Sequence, residues 1–221
     1  MSDKEFNTEN ESGGVDKKRR SLTKIGLSTP VIASLLSRPA FATQCSGSAL
    51  ASGNLSNPVD KSTCGACSPL QWTKATQAEL DSISINLANS INTLFTIPNF
   101  TPPGAGSIPK PIITGTIGGA LNGSITIDSG FTAGNNTQTT TAKAQLIEAF
   151  KQFVTAFLNA SHIATKINFP KNLSTVVSEV NSALTITTNG NNFSLNMTTI
   201  NSLKDSYTLA NSGTSCSINY K

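Results

Sequence analysis

The chain has 221 residues, 16 Lys+Arg against 12 Asp+Glu, and 13% charged residues in all. Seven of the basic and five of the acidic residues fall within residues 1–42, leaving nine and seven scattered over the remaining 179. No basic face is concentrated enough for a nucleic-acid binder, which excludes that class, and the remaining length suits one domain.

The N-terminal stretch is acidic and polar to Asp16, then turns basic at Lys18-Arg19-Arg20-Ser21-Leu22-Thr23-Lys24. A short, weakly apolar run from Ile25 to Leu36 follows, and then Ala40-Phe41-Ala42. A basic segment, an apolar segment and a small-x-small site are the three parts of an export signal. Arg19-Arg20, with Leu22 and Lys24 beyond them, resembles the twin-arginine consensus. The expected mature chain therefore starts at Thr43 and is exported to the periplasm, the cell surface or the medium. The apolar run is too short to span a bilayer, which takes about 20 residues, so no stable membrane anchor is expected. Cys45 lies close to the cut, but Gln44 precedes it where a lipidated cysteine follows a small residue.

All four cysteines, Cys45, Cys64, Cys67 and Cys216, fall in the expected mature chain. An even count in an oxidising compartment predicts two disulfides, with three connectivities open. Cys45 and Cys216 lie near the two ends, so at least one bridge is expected to tie an end to the Cys64/Cys67 region. Residues 43–71, rich in Gly, Ser, Asn and Pro, read as an irregular lead-in. Residues 72–221 read as a single, mostly helical domain with an irregular and β insertion at 97–142.

Within that domain Leu80, Ile83, Leu87, Ile91 and Leu94 recur at steps of three and four and predict a first helix ending before Pro98. Ile112–Ile117 and Ser124–Ile127 predict a small hairpin joined through Gly118-Gly119 and Asn122-Gly123, closed by the Thr/Asn tract at 132–142. Ala142 to His162 is the clearest helix, with Leu146, Phe150, Phe153, Val154 and Phe157 on one stripe. Leu173, Val176, Val177, Val180 and Leu184 predict a third helix. The strand-like Thr185-Ile186-Thr187 runs into the turn signal Asn189-Gly190, and a last helix is expected over roughly 197–210. The expected class is mainly α (α+β), about four amphipathic helices with a small β-hairpin insertion, stapled by disulfides.

Chemistry is sparse. Cys64-Gly65-Ala66-Cys67 has the spacing of a redox pair, but no strand leads into it and Ser68-Pro69 follows. Structural pairing of both cysteines is therefore expected, with a thiol-disulfide oxidoreductase as the alternative. His162 is the only histidine and reads as a charge placed at a helix C-terminus. Asp128, Glu148, Glu179 and Asp205 are isolated acids, and neither Ser68 nor Ser161 sits in a Gly-x-Ser-x-Gly elbow. No cofactor, metal or catalytic residue is assigned, and the chain is not expected to be an enzyme. The stripe on residues 142–162 is expected to face a core and not a membrane surface.

Cys67-Ser68-Pro69-Leu70-Gln71-Trp72-Thr73-Lys74 resembles the Cys-Ser-Pro-Gly-Tyr-Trp-Lys-Asn-His motif of a group of uncharacterised exported bacterial proteins. The leader end, Leu36 to Ala42, is similar to that group as well, as are Phe157 to Ser161 and Leu203-Lys204-Asp205 with Asn211 to Cys216. Leu70-Gln71 stand where the group has Gly-Tyr, and Ala75-Thr76 where it has Asn-His. The resemblance implies compartment and shape, with Trp72 as a core or cap residue beside a disulfide. The expected role is an exported, disulfide-containing, non-catalytic envelope or surface protein. It would act by binding or assembly on a protein or surface partner not identified by sequence, after passing the export machinery.

Overall fold

A computed structural model describes residues 66–104, 106–167, 169–212 and 216–219. The signal residues Arg19, Arg20, Ala40 and Ala42, together with Cys45 and Cys64, lie outside the described residues.

Helix α1 (Pro69–Thr73) forms because Ser68 and Gln71 cap each other reciprocally and Pro69 occupies the first turn. That is the Ser-x-x-Gln capping box with a proline where its missing N–H costs nothing. Helix α2 (Gln77–Asp81) buries Leu80 and stops. The helix expected from Leu80 through Leu94 is thus a correction: beyond α2 the chain turns, with Ser84 at φ 55°, and only Ile91–Thr93 makes a 3₁₀ turn. Side chains compete with the backbone here, Asn86 Oδ1 accepting from Ala88 N–H and Ser90 Oγ from Asn92 N–H. The freed backbone groups pair across the chain instead: Ile91 N–H reaches Gly115 O, Ile117 N–H reaches Asn89 O and Gly118 N–H reaches Leu87 O. The apolar positions still go inside, Ile91 fully and Leu94 nearly so.

Strands β1 (Asn99–Phe100) and β2 (Lys110–Pro111) form one antiparallel pair, β3 (Ile113–Thr114) and β4 (Thr126–Ile127) another. The expected hairpin is present, but its first arm ends early. Thr116 caps helix α3 (Ile117–Leu121), accepting from Gly119 N–H, and turns residues expected as strand and loop into helix. Gly119 is needed there, since a Cβ would stand 2.8 Å from Ser124 O.

Helix α4 (Asn136–Ser161) runs 26 residues and begins six residues before the expected Ala142. The signal is again a capping box, Asn135 with Gln138, hidden inside the Thr/Asn tract. At 1.5 Å per residue it is roughly 39 Å long and forms the spine, touching α1, α3, α5 (Leu173–Ala183) and α6 (Met197–Ala210). Between α5 and α6 lies the hairpin β5 (Ile186–Asn189) and β6 (Asn192–Leu195), closed by a two-residue turn with Gly190 at φ 56°. That Asn-Gly turn, α5 and α6 stand where the sequence places them.

One buried cluster spans the described residues. Phe95 meets Phe150 and Phe157 edge-on, and Phe153 meets Tyr207 the same way. A second aromatic group, Phe100, Phe131 and Phe193, gathers the insertion and the β5–β6 hairpin. Among the described residues the fold is mixed α+β, with three long helices, three one-turn helices and three two-stranded ladders. The four helices of the sequence reading become three plus the broken 80–94 segment.

Candidate functional site

Cys67 and Cys216 are joined, with Sγ atoms 2.01 Å apart and Cα atoms 4.5 Å apart across a separation of 149 residues. The bridge ties the start of α1 to the chain beyond α6. Cys67 is fully buried.

Asn159, on the last turns of α4, organises the surroundings of Cys67. Its Oδ1 accepts from Cys67 N–H at 3.0 Å and from the Trp72 indole N–H at 2.9 Å. Its Nδ2 donates to Cys67 O at 2.9 Å and to Asn211 Oδ1 at 3.0 Å. Both hydrogens and both lone pairs of the amide are thereby used, the full capacity of an asparagine side chain. Asn211, itself buried, passes the network on by donating to the backbone and side-chain oxygens of Gln152. Trp72 lies beside the bridge as a core residue.

A second tie lies next to it. His162 caps the end of α4 and is 3% exposed, packed edge-on against Trp72 at 5.7 Å. Ala164 N–H donates to His162 Nδ1, so the ring proton sits on Nε2 and is donated to Glu79 Oε2 at 2.7 Å. The other carboxylate oxygen of Glu79 accepts from the backbone and side-chain N–H groups of Asn219, while Asn219 O accepts from Thr76 N–H. The lone histidine is therefore buried and hydrogen-bonded to a carboxylate, not exposed at a helix end.

The backbone N–H of Asn219 lowers the pKa of Glu79 and outweighs the opposing effect of burial, helped by His162 and the Asn219 amide. A carboxylate depressed in the folded state adds stability above its ordinary value of 4.5, and that part is lost as pH falls through the folded value. Glu79→Gln puts an amide opposite the Nε2–H of His162, while Nδ1 stays held by Ala164. The variant is expected to lose about 1–2 kcal/mol near neutral pH, with the gap from wild type narrowing below pH 4.5 in acid unfolding curves. A gap that is flat with pH would remove the carboxylate from this account.

The remaining acids are dispersed. Glu179 accepts from Lys171 Nζ at 2.6 Å and from the buried Tyr207 hydroxyl at 2.7 Å, with Lys171 Nζ 4.8 Å over the Tyr207 ring. Burial first, and then the Glu179 carboxylate, push the Tyr207 pKa up and keep the hydroxyl a donor. Glu148 pairs with Lys151 and Asp205 with Lys204 on the surface. Asp128 bonds Gly130 N–H, Ser68 caps α1 and Ser161 Oγ donates to Phe157 O. Of the cysteines, Cys67 and Cys216 are brought together. Asn159, Glu79, Asn211 and Asn219 were not singled out by sequence. Their signal is faint: the Phe153–Ser161 segment carries no charge on any face, as a helix end buried all round does.

No described helix is long and apolar enough to cross a membrane. No protein-family model, no curated protein and no solved structure matches the chain.

Proposed function

We propose that this chain is an exported, disulfide-stapled protein of the cell envelope or surface that acts by binding or assembly and not by catalysis. The observation that carries the reading is the Cys67–Cys216 bridge, fully buried at Cys67, a kind of bond that persists in oxidising compartments and is rare in the cytosol. The Arg19-Arg20 leader points the same way. The residues around the bridge (Asn159, Asn211, His162, Glu79 and Asn219, together a clasp) spend their polar atoms on one another and on nearby chain, as a structural fastening does. Cys67, engaged with Cys216 away from solvent, is held as a staple and not as a redox partner of Cys64. Kinship with the exported bacterial group rests on the Cys67–Lys74 segment together with the scattered similar segments, and is part of the proposal.

The test is to express the full chain in bacteria and map its ends and thiols by mass spectrometry. The expected product starts at Thr43, appears outside the cytoplasm and carries the Cys67–Cys216 bridge. Replacing Arg19 and Arg20 together by Lys is expected to retain at least about nine-tenths of the product inside the cell, the signature of the twin-arginine route. An uncut, cytoplasmic wild-type product overturns the reading. So does a reactive Cys64–Cys67 couple that oxidises a dithiol substrate.

A further inference from the structure

Away from the clasp, a pocket of about 190 Å³ opens where the proline-containing insertion meets the β5–β6 hairpin. Phe100 lines it, 3% exposed, its ring tilted 46° against that of Phe193 at 5.0 Å between centroids. Lys110 stands directly across the β1–β2 ladder from Phe100. Asp128 follows β4, and Asn191 and Asn192 come from the far hairpin. These groups are distant in sequence and meet around Gly130, where neighbouring atoms leave little room for a side chain. A Cβ on Gly130 would stand 2.9 Å from Phe100 Cε1, and Gly130 O accepts from Phe193 N–H at 2.9 Å.

The carboxylate of Asp128 is aimed by this turn, its Oδ1 accepting from Gly130 N–H at 2.8 Å. Among the described residues its second oxygen, the Lys110 ammonium and the side-chain amides of Asn191 and Asn192 have no hydrogen-bond partner, although all four residues line the pocket. The rim thus offers an oriented acceptor, a cationic donor and two amides that each donate and accept. Lys110 and Asp128 cancel in charge, so the pocket does not select an ion.

We propose that this pocket is a carbohydrate subsite that takes one uncharged hexose ring of a glycan. Sugar hydroxyls both donate and accept, which interleaved planar amides and a carboxylate satisfy together. Pro102, half-buried at the rim, presents apolar surface to the C–H face of the ring. The volume lies below the roughly 300–1,000 Å³ of drug-sized sites, so one ring enters and the rest of the glycan stays outside. This names the ligand class for the binding role proposed above and rests on that reading.

The test is a titration of the secreted, bridged, ¹⁵N-labelled protein, followed by amide chemical shifts. The probes are glucose, galactose, mannose and N-acetylglucosamine, each alone, with glycine as a zwitterionic control. At least one sugar is expected to shift Gly130, Asn191 and Asn192, with a Kd on the order of 1 mM. Asp128→Asn, which keeps the oxygen that holds Gly130, and Lys110→Ala on the exposed rim are each expected to weaken it about tenfold. If Asp128→Asn fails to fold, Lys110→Ala alone decides. No shift with any of the four sugars overturns the proposal. So does binding of glycine alone, or sugar binding that is equal in wild type and in the folded variants. A chain correctly cut and bridged but blind to sugars refutes the subsite alone and leaves export and stapling standing.

Discussion

Removing the Cys67–Cys216 bridge is expected to lower the unfolding free energy by about 5 kcal/mol. The figure follows from the chain-entropy relation for a closed loop of 149 residues. Alanine is the replacement of choice at Cys67, because that side chain is fully buried and serine would strand a hydroxyl there. Trp72, the one tryptophan of the chain and fully buried beside the bridge, reports the transition by fluorescence. In urea, Cys67→Ala/Cys216→Ala should unfold at a lower midpoint and with a steeper slope, since an unlinked denatured chain exposes more surface. Reduction of the wild type, which opens every bridge, should lower the midpoint at least as far. An unchanged midpoint would mean that the polar ties through Asn159 and Glu79 hold the C-terminal segment without the bond.

The helices that could be read in the sequence are those whose apolar residues follow one stripe between clear ends. Leu173 to Val180 and Ile200 to Tyr207 are of this kind, each entered through an asparagine cap, Asn172 and Asn196. The 80–94 segment has the same spacing and is not one helix, because Asn86 and Ser90 turn the chain locally and residues 87–91 bond to 115–118 instead. Periodicity records which side chains go inside, and here a non-local backbone pairing satisfies the same burial by another route. The start of α4 lies six residues before the expected Ala142 for the opposite reason: Asn135 and Gln138 make a cap in a tract whose Thr and Asn content reads as loop.

The candidate site divides in the same way. Disulfide cysteines and a lone tryptophan are rare residues and stand out in any sequence. Asn159, Asn211 and Asn219 are three of many asparagines; burial and partner distinguish the first two and the Glu79 partner distinguishes Asn219, and only the fold supplies these. Even the lone histidine was legible only by type. Its partner Glu79 lies 83 residues away, and its tautomer is set by Ala164 N–H.

Asn159→Ala is the more local of the two severe changes and should be nearly as costly. It leaves Cys67 N–H, Cys67 O, the Trp72 indole N–H and Asn211 Oδ1 buried without their partner. Each orphaned group costs about 1–3 kcal/mol. The losses share one site and are not additive, so the expected destabilisation is about 4 kcal/mol. For a chain of this size that lowers Tm by roughly 8–16 °C. Asn159→Asp separates hydrogen bonding from shape: the carboxylate still accepts from Cys67 N–H and Trp72, but it cannot donate to Cys67 O or Asn211. It should therefore fall between wild type and alanine at neutral pH and recover part of the difference in acid, where one carboxyl oxygen regains a proton to donate. Combined with Cys67→Ala/Cys216→Ala, the asparagine loss should cost less than in the bridged chain. The amide's work is to seat the Cys67 backbone against α4, and that seating matters most while the bridge pulls on it. Equal costs in the two backgrounds would show that the amide and the bridge fasten the C-terminal segment independently.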